Sequence, residues 1–375
     1  MRTLLTYVLA LFLSLLFLDQ GQALAQEAGA AAAAGQTAGP APVATPTGSF
    51  TNPLLPAGAD PSVVRQGDFY YYMQTTGRDL TIWKTQDLTN LKDAEKKVVW
   101  IPPVDGPYSK DIWAPELHFL KGKWYIYFAA DAGTNETHRI WVLENSAADP
   151  LEGVWAIKGK LADKSDKWAI DPSVFEVNGK DYALWAGWPG DVNGVQDIFI
   201  ARLKNPWTIK GSRKVLSTPQ YPWEKVGDLS RGENGVIPYP HVDVNEGPEV
   251  LEHGGKVFIV YSASGCWTNY YELGMLTASE DSNLLKGKSW AKSAVPVFWE
   301  SPEAGVFAPG HNTFFKSPDG REDWILYHAN AESGLGCGEQ RSPRAQKIVW
   351  KADGSPDFGR PISTTETIVK PSGTR

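Results

Sequence analysis

A short pattern recurs five times along this chain and restricts the fold more than any other feature. Each copy has an anchor segment, a turn glycine and a block of aromatic and β-branched residues. The anchors are Asp60-Pro61, Trp113-Ala114-Pro115-Glu116, Asp171-Pro172, Glu246-Gly247-Pro248 and Pro309-Gly310-His311. Glycines follow at Gly67, Gly122, Gly179, Gly254-Gly255 and Gly320, and the blocks lie at 69–73, 124–128, 182–185, 257–261 and 324–328. A third strand is expected in each copy, at 80–83, 140–143, 198–200, 273–276 and 347–350. Short strands punctuated by glycine, with almost no helical periodicity, predict an all-β protein.

The anchors stand roughly 55 to 75 residues apart, enough for a four-stranded unit with loops. Five such units suit a five-bladed β-propeller, in which radial repetition protects the sheet edges. The first strand of every blade would then line a central channel, and the anchors would converge there. A two-sheet sandwich fits five matched units poorly.

Other segments bound the chain's setting. Residues 1–25 read as a secretory signal peptide: Arg2, an apolar run over 4–18, and the small-x-small site Ala23-Leu24-Ala25. The run is shorter than the ~20 residues of a bilayer span, so no membrane anchor is expected. Residues 26–48 are mostly Ala, Gly, Pro and Thr with one charge, Glu27, and read as a flexible linker. Residues 49–375 are expected to form one domain. A secreted or periplasmic location follows. The net charge of −7 disfavours nucleic acid and anionic membranes as partners. Cys266 and Cys337 allow one disulfide or two buried thiols, and their spacing excludes a CxxC metal site. Most of the 16 Trp, 14 Tyr and 14 Phe are expected in the core.

Three of the five anchors carry an acid: Asp60, Asp171 and Glu246. Carboxyls gathered on one axis push their pKa values apart, so that one stays protonated while another stays ionised. Two carboxyls flanking a glycosidic bond are the usual equipment of glycoside hydrolysis. The alternative is a ring of acids that binds a hard cation or plugs the channel. Glu249 is a rival for Glu246, but strand alternation is expected to turn it away from the channel. His118, His138, His241, His253 and His328 carry no functional signal, and Asn135-Glu136-Thr137 is a short glycosylation sequon of frequent chance occurrence.

The distributed motifs resemble glycoside hydrolase family 43. They are Thr51-Asn52-Pro53-Leu54-Leu55-Pro56 before Ala59-Asp60-Pro61, Ile112-Trp113-Ala114-Pro115-Glu116, Ile170-Asp171-Pro172-Ser173, Asn245-Glu246-Gly247-Pro248, Pro309-Gly310-His311-Asn312 with Trp324-Ile325-Leu326-Tyr327-His328, and Arg344-Ala345-Gln346. The resemblance covers essentially all of 49–370. It implies a five-bladed propeller and an inverting mechanism, with Asp60 as general base, Glu246 as general acid and Asp171 as the modulator of the acid's pKa. It further implies that Arg344 binds substrate and that His311 stands near the axis, in relatives often beside a calcium ion; Trp113 is expected to stack on a sugar face, with core packing as the alternative. No cofactor is required for the chemistry, though a structural Ca ion in the channel is compatible with it. Cys266 and Cys337 follow the second strands of the fourth and fifth units, where a bridge would stiffen the rim.

The opening segment, Tyr70-Tyr71-Tyr72 and 262–267 most resemble the exo-acting α-L-arabinofuranosidase branch. The implied substrate is a plant cell-wall oligosaccharide or polysaccharide, arabinan or an arabinose-decorated polymer, hydrolysed by a monomer. β-Xylosidase and endo-arabinanase share the mechanism and stay open. So does a catalytically silent carbohydrate-binding propeller, although all three acids are present. A fructan-active relative is disfavoured because Ile170 stands where an Arg-Asp-Pro motif needs arginine.

Overall fold

In each repeat the aromatic block supplies two cores at once, because alternate residues of a strand leave on opposite faces. The computed structural model describes residues 48–228 and 241–375. The leader segment and the linker up to residue 47 lie outside the described residues.

The chain starts with β1 (Ser49–Phe50) and then forms four strands, β2 (Ala59–Gln66), β3 (Phe69–Thr75), β4 (Leu80–Thr85) and β5 (Glu95–Trp100). A second unit holds β6 (Lys110–Leu120), β7 (Lys123–Asp131), β8 (Arg139–Asn145) and β9 (Ala156–Lys160). The third holds β10 (Ala169–Val177), β11 (Lys180–Gly187), β12 (Val195–Asn205) and β13 (Thr208–Ser217). The fourth holds β14 (Asp243–His253), β15 (Lys256–Ala263), β16 (Glu272–Ser279) and β17 (Ala291–Lys292), and the fifth β18 (Phe307–Lys316), β19 (Asp323–Asn330) and β20 (Ser342–Lys347). Three short strands finish the chain: β21 (Val349–Trp350), β22 (Pro356–Asp357) and β23 (Ile368–Val369). Helix among the described residues is limited to short 3-10 turns. The protein is all-β.

Within each unit the strands pair antiparallel in sequence order. Tyr71 and Met73 of β3 pack with Trp124, Ile126 and Phe128 of β7. The alternate residues Tyr70 and Tyr72 pack the other way, with Phe315, Trp324 and Leu326 of the fifth unit. Tyr125 and Tyr127 meet Ala183 and Trp185, Leu184 and Ala186 meet Ile259 and Tyr261, and Phe258 and Val260 meet Ile325 and Tyr327. Every second strand is therefore apolar on both faces. Each unit packs on the next, and the fifth packs on the first.

The third strand of the fifth unit is Ser342–Lys347, not 347–350 as the aromatic pattern suggests. Val349–Trp350 instead pairs with Pro356–Asp357. The fifth unit has only three strands of its own, and the opening segment lies along its edge. Leu54 N donates to Pro343 O (2.8 Å), Ala345 N to Asn52 Oδ1 (2.9 Å), and Asn52 Nδ2 to Ala345 O (3.1 Å). β1 pairs with β23, so the first and last strands close on each other. This join brings Asp60 in at the start of the first unit.

Trp124 is completely buried, so Trp124→Ala will cost about 3–5 kcal/mol in urea unfolding. Val104→Ala, at a position 81% exposed, will change stability by less than about 0.5 kcal/mol. Equal effects would show that the inter-unit cores do not carry the stability.

Candidate active site

All five first strands carry one extra residue at the same place. The pairing register jumps between Ala59 and Ser62, Trp113 and Glu116, Ile170 and Ser173, Glu246 and Glu249, and Gly310 and Thr313. The residue just inside each bulge has a left-handed backbone: Asp60 (φ 54°), Ala114 (42°), Asp171 (53°), Gly247 (54°) and His311 (46°). Asp tolerates this region better than most residues, but four non-glycine residues held there is strained backbone that the surrounding pairing must impose. Gly247 has a further reason: a Cβ there would sit 3.2 Å from the His311 ring. Asp60, Asp171 and His311 are thus equivalent by register, whereas Glu246 and Trp113 occupy the position before.

These residues meet in a cavity of about 360 Å³, lined by Asp60, Trp113, Asp171, Glu246, His311 and Arg341. Trp168, Trp267 and the Cys266–Cys337 disulfide form more of its wall.

Asp60 is the most heavily partnered of the acids that line this cavity. Its Oδ2 accepts from Thr75 Oγ1 (2.6 Å) and its Oδ1 from Arg341 Nη1 (3.0 Å). His311 Nδ1 and His328 Nδ1 lie 3.4 and 3.5 Å from Oδ1. Burial alone would raise its pKa, but the Arg341 guanidinium, then the two histidines and the Thr75 hydroxyl, outweigh it. Asp60 is held well below the usual carboxylate range and stays ionised. Its backbone N donates to His328 Nδ1 (3.0 Å), which places the His328 proton on Nε2. Burial also holds His328 well below its ordinary value. His328, silent in the sequence, therefore fixes the strand at Asp60.

Glu246 behaves oppositely. Burial, helped by the charge of Asp60, pushes it up to about 7 against the lowering effect of the Tyr271 hydroxyl and Arg341. Tyr271 donates to its Oε1 at 2.9 Å. Asp171 is raised well above its ordinary value by burial first, then by the charges of Glu246 and Asp60. Asp171 Oδ2 accepts from Gly247 N (3.0 Å), which ties it to the residue beside Glu246. One cavity thus holds an ionised carboxylate and a proton-retaining carboxyl pair.

Trp113 lines the cavity with one face stacked on His138, ring centroids 4.1 Å apart. Arg344 is not at the cavity. It pairs with Tyr327 inside β20, where alternation buries its guanidinium between units, and Nη1 donates to Gly305 O (3.2 Å). The arginine that reaches the acids is Arg341, in the loop just before β20. Placing β20 at 342–347 from the sequence would have made that choice, since it leaves Arg341 outside the strand.

Glu249 corrects the argument from alternation. The bulge adds a residue after Glu246, so both face the inner side. Glu249 lines a second cavity of about 340 Å³ with Glu116, His118 and Ser173. Ser173 Oγ donates to its Oε2 (2.8 Å), and Glu116 Oε2 lies 2.9 Å from His118 Nε2. Among the described residues, no group of three or more His, Cys, Asp or Glu is placed to hold a metal ion. His311 faces Asp60, and its backbone N donates to Ser262 Oγ (2.8 Å). This donor set does not fit a metal held by protein ligands.

The family model for glycosyl hydrolases family 43 matches residues 50–356. An extracellular exo-alpha-(1->5)-L-arabinofuranosidase of Streptomyces avermitilis is 39% identical over 335 residues, 87% of this chain and 66% of that protein. The chain therefore spans just under two thirds of that relative's length. A Streptomyces chartreusis protein of the same name is 37% identical over 80% of this chain and 89% of its own. The crystal structure of an alpha-L-arabinofuranosidase from Lactobacillus brevis superposes with a TM-score of 0.76 at 34% identity, covering 84% of this chain and 98% of that one.

Buried acids with raised pKa values also set the pH dependence of stability. Burial moves Glu116 from 4.5 to about 8, and Glu246 reaches about 7. The folded protein keeps these protons after the unfolded chain has lost them. Their contribution is complete below about pH 4.5 and is lost as the pH rises through 7 to 8. The melting temperature will fall between pH 5 and 8, and Glu116→Gln will flatten that fall. An unchanged slope in the variant would contradict the assignment.

Proposed function

The chain belongs to glycosyl hydrolase family 43, and on that premise we propose that it is an inverting exo-acting α-L-arabinofuranosidase. The observation that carries this reading is the opposed protonation of Asp60 and Glu246 in one cavity. Asp60, ionised, accepts a proton from water as the water oxygen bonds to the anomeric carbon. Glu246 gives its proton to the glycosidic oxygen as the bond to that carbon breaks. Asp171 lies in the charge field of Glu246 and, by accepting from Gly247 N, steadies the backbone beside the acid. Arg341, Thr75 and His311 keep Asp60 aligned and ionised.

The five packed units are read as the blades of a propeller, with the two cavities as opposite ends of its channel. The aromatic wall of Trp113, Trp168 and Trp267 suits sugar faces. The substrates proposed are arabinan and arabinose-decorated polymers of the plant cell wall, met outside the cell by a monomer. No helix among the described residues is long and apolar enough to cross a membrane, and the extracellular names of the relatives agree with export. Each proton transfer is assigned to a side chain, so the reading requires no cofactor.

On an aryl α-L-arabinofuranoside and on linear arabino-oligosaccharides, Asp60→Asn and Glu246→Gln will each lower kcat/KM by about 10²–10⁴-fold. The wild-type profile will fall above about pH 7 as Glu246 loses its proton. No sugar release by the wild type would leave a carbohydrate-binding protein as the better reading, and unchanged release in both variants would move the chemistry to other residues. Preference for xylosides, or internal cleavage of arabinan, would redirect the substrate assignment within the family.

A further inference from the structure

The disulfide that walls the cavity is joined to the base by a short chain of contacts. Cys266 lies in the loop between β15 and β16, and Cys337 in the loop between β19 and β20. Gly338 follows Cys337, and its carbonyl accepts from both Arg341 Nε (3.2 Å) and Arg341 N (3.4 Å). With Nε held in this way, Nη1 reaches Asp60 Oδ1 at 3.0 Å. The far end of the segment is fixed where Gly58 N donates to Arg341 O (2.7 Å), two residues before Asp60. The rest of the loop is held more lightly. Asn330 Nδ2 donates to Gly336 O and Gly334 N to Asn269 Oδ1, each at 2.9 Å, and Gly334 is exposed. Such contacts are worth about 1 kcal/mol each, too little to hold a long side chain in one place while the loop moves.

We propose that the Cys266–Cys337 bridge is a positioning element of the catalytic centre, holding Gly338 where its carbonyl locks Arg341 onto Asp60. The bridge spans two units, so it sets the Arg341 segment against a wall of the fourth unit as well as against its own. A staple placed only for stability has no need to end one residue from the carbonyl that orients the base's counter-ion. Two-electron reduction of the bridge by an added phosphine, giving two thiols, frees Gly338 and loosens the ion pair. Asp60 then loses the partner that most favours its ionised form, and its acid limb moves up into the working range.

This inference rests on the hydrolase reading, and the experiment separates the two. kcat/KM for an aryl α-L-arabinofuranoside is measured at pH 4 and pH 6 for the oxidised protein, the phosphine-reduced and alkylated protein, and Cys266→Ser/Cys337→Ser. The same measurements are made on Arg341→Gln, oxidised and reduced, with melting curves confirming folded protein at the assay temperature. Opening the bridge is expected to lower the pH 4 to pH 6 ratio by about two-fold or more, because burial raises Asp60 and loss of the arginine that offsets it returns the carboxyl to or above the ordinary value of about 4, where it is half protonated at pH 4. Arg341→Gln is expected to show the same drop while oxidised, with no further drop on reduction. An unchanged ratio on reduction, or an equal further drop in Arg341→Gln, would overturn the proposal. Loss of the fold on reduction would assign the bridge to global stability and overturn it too. If the oxidised wild type does not hydrolyse the glycoside, the hydrolase reading itself fails, and if Asp60→Asn hydrolyses as wild type does, Asp60 is not the base, whatever the bridge does.

Discussion

One extra residue in each inner strand is the constraint on which the site depends. Without it, a strict two-residue alternation would send every other side chain away from the cavities. The bulge holds Asp60, Asp171 and His311 in left-handed backbone at matching positions and presents Glu246 and Trp113 from the position before. It also resets the register, so that the residue three further on faces inward again. Two tiers result, Asp60, Asp171 and Glu246 above, and Glu116, Ser173 and Glu249 below. The strain of non-glycine residues at positive φ, of order 1–2 kcal/mol each, is sustained by strand pairing on both sides of each bulge.

Electrostatics then divides labour among acids that the backbone treats alike. Asp60 and Asp171 share a backbone conformation and near-complete burial, and yet they differ in protonation. The difference lies in the groups placed around each carboxyl. Asp60 receives Arg341, two histidines and a hydroxyl, whereas Asp171 receives a backbone N–H and a second carboxyl. A site able to donate one proton while accepting another needs both environments within one cavity. Arg341 from a loop, with His311, His328 and Thr75 from the strands around Asp60, supplies the asymmetry.

Much of this was legible in the sequence because repetition is legible. The glycine turns and aromatic blocks located the second strands, and the coincidence of three anchor acids located the cavity. What escaped was set by register rather than composition. Glu249 was sent outward by an alternation that the bulge interrupts. Arg344 stood in for Arg341 because β20 begins earlier than its aromatic end suggests, and within β20 Arg344 turns toward the neighbouring unit. His328 and Tyr271 gave no signal, since a single hydrogen bond to Asp60 or Glu246 from a distant strand leaves no local pattern. The bridge between Cys266 and Cys337 depends on loops of two units meeting, which spacing along the chain does not encode.

The account turns on water being activated by Asp60 on the face opposite the bond that Glu246 protonates. The most direct measurement is the anomeric configuration of the first sugar released, followed by ¹H NMR during the opening minutes of hydrolysis, before mutarotation. The account predicts β-L-arabinofuranose from an α-linked substrate. Initial release of the α-anomer would make Asp60 a nucleophile and contradict the role assigned to it.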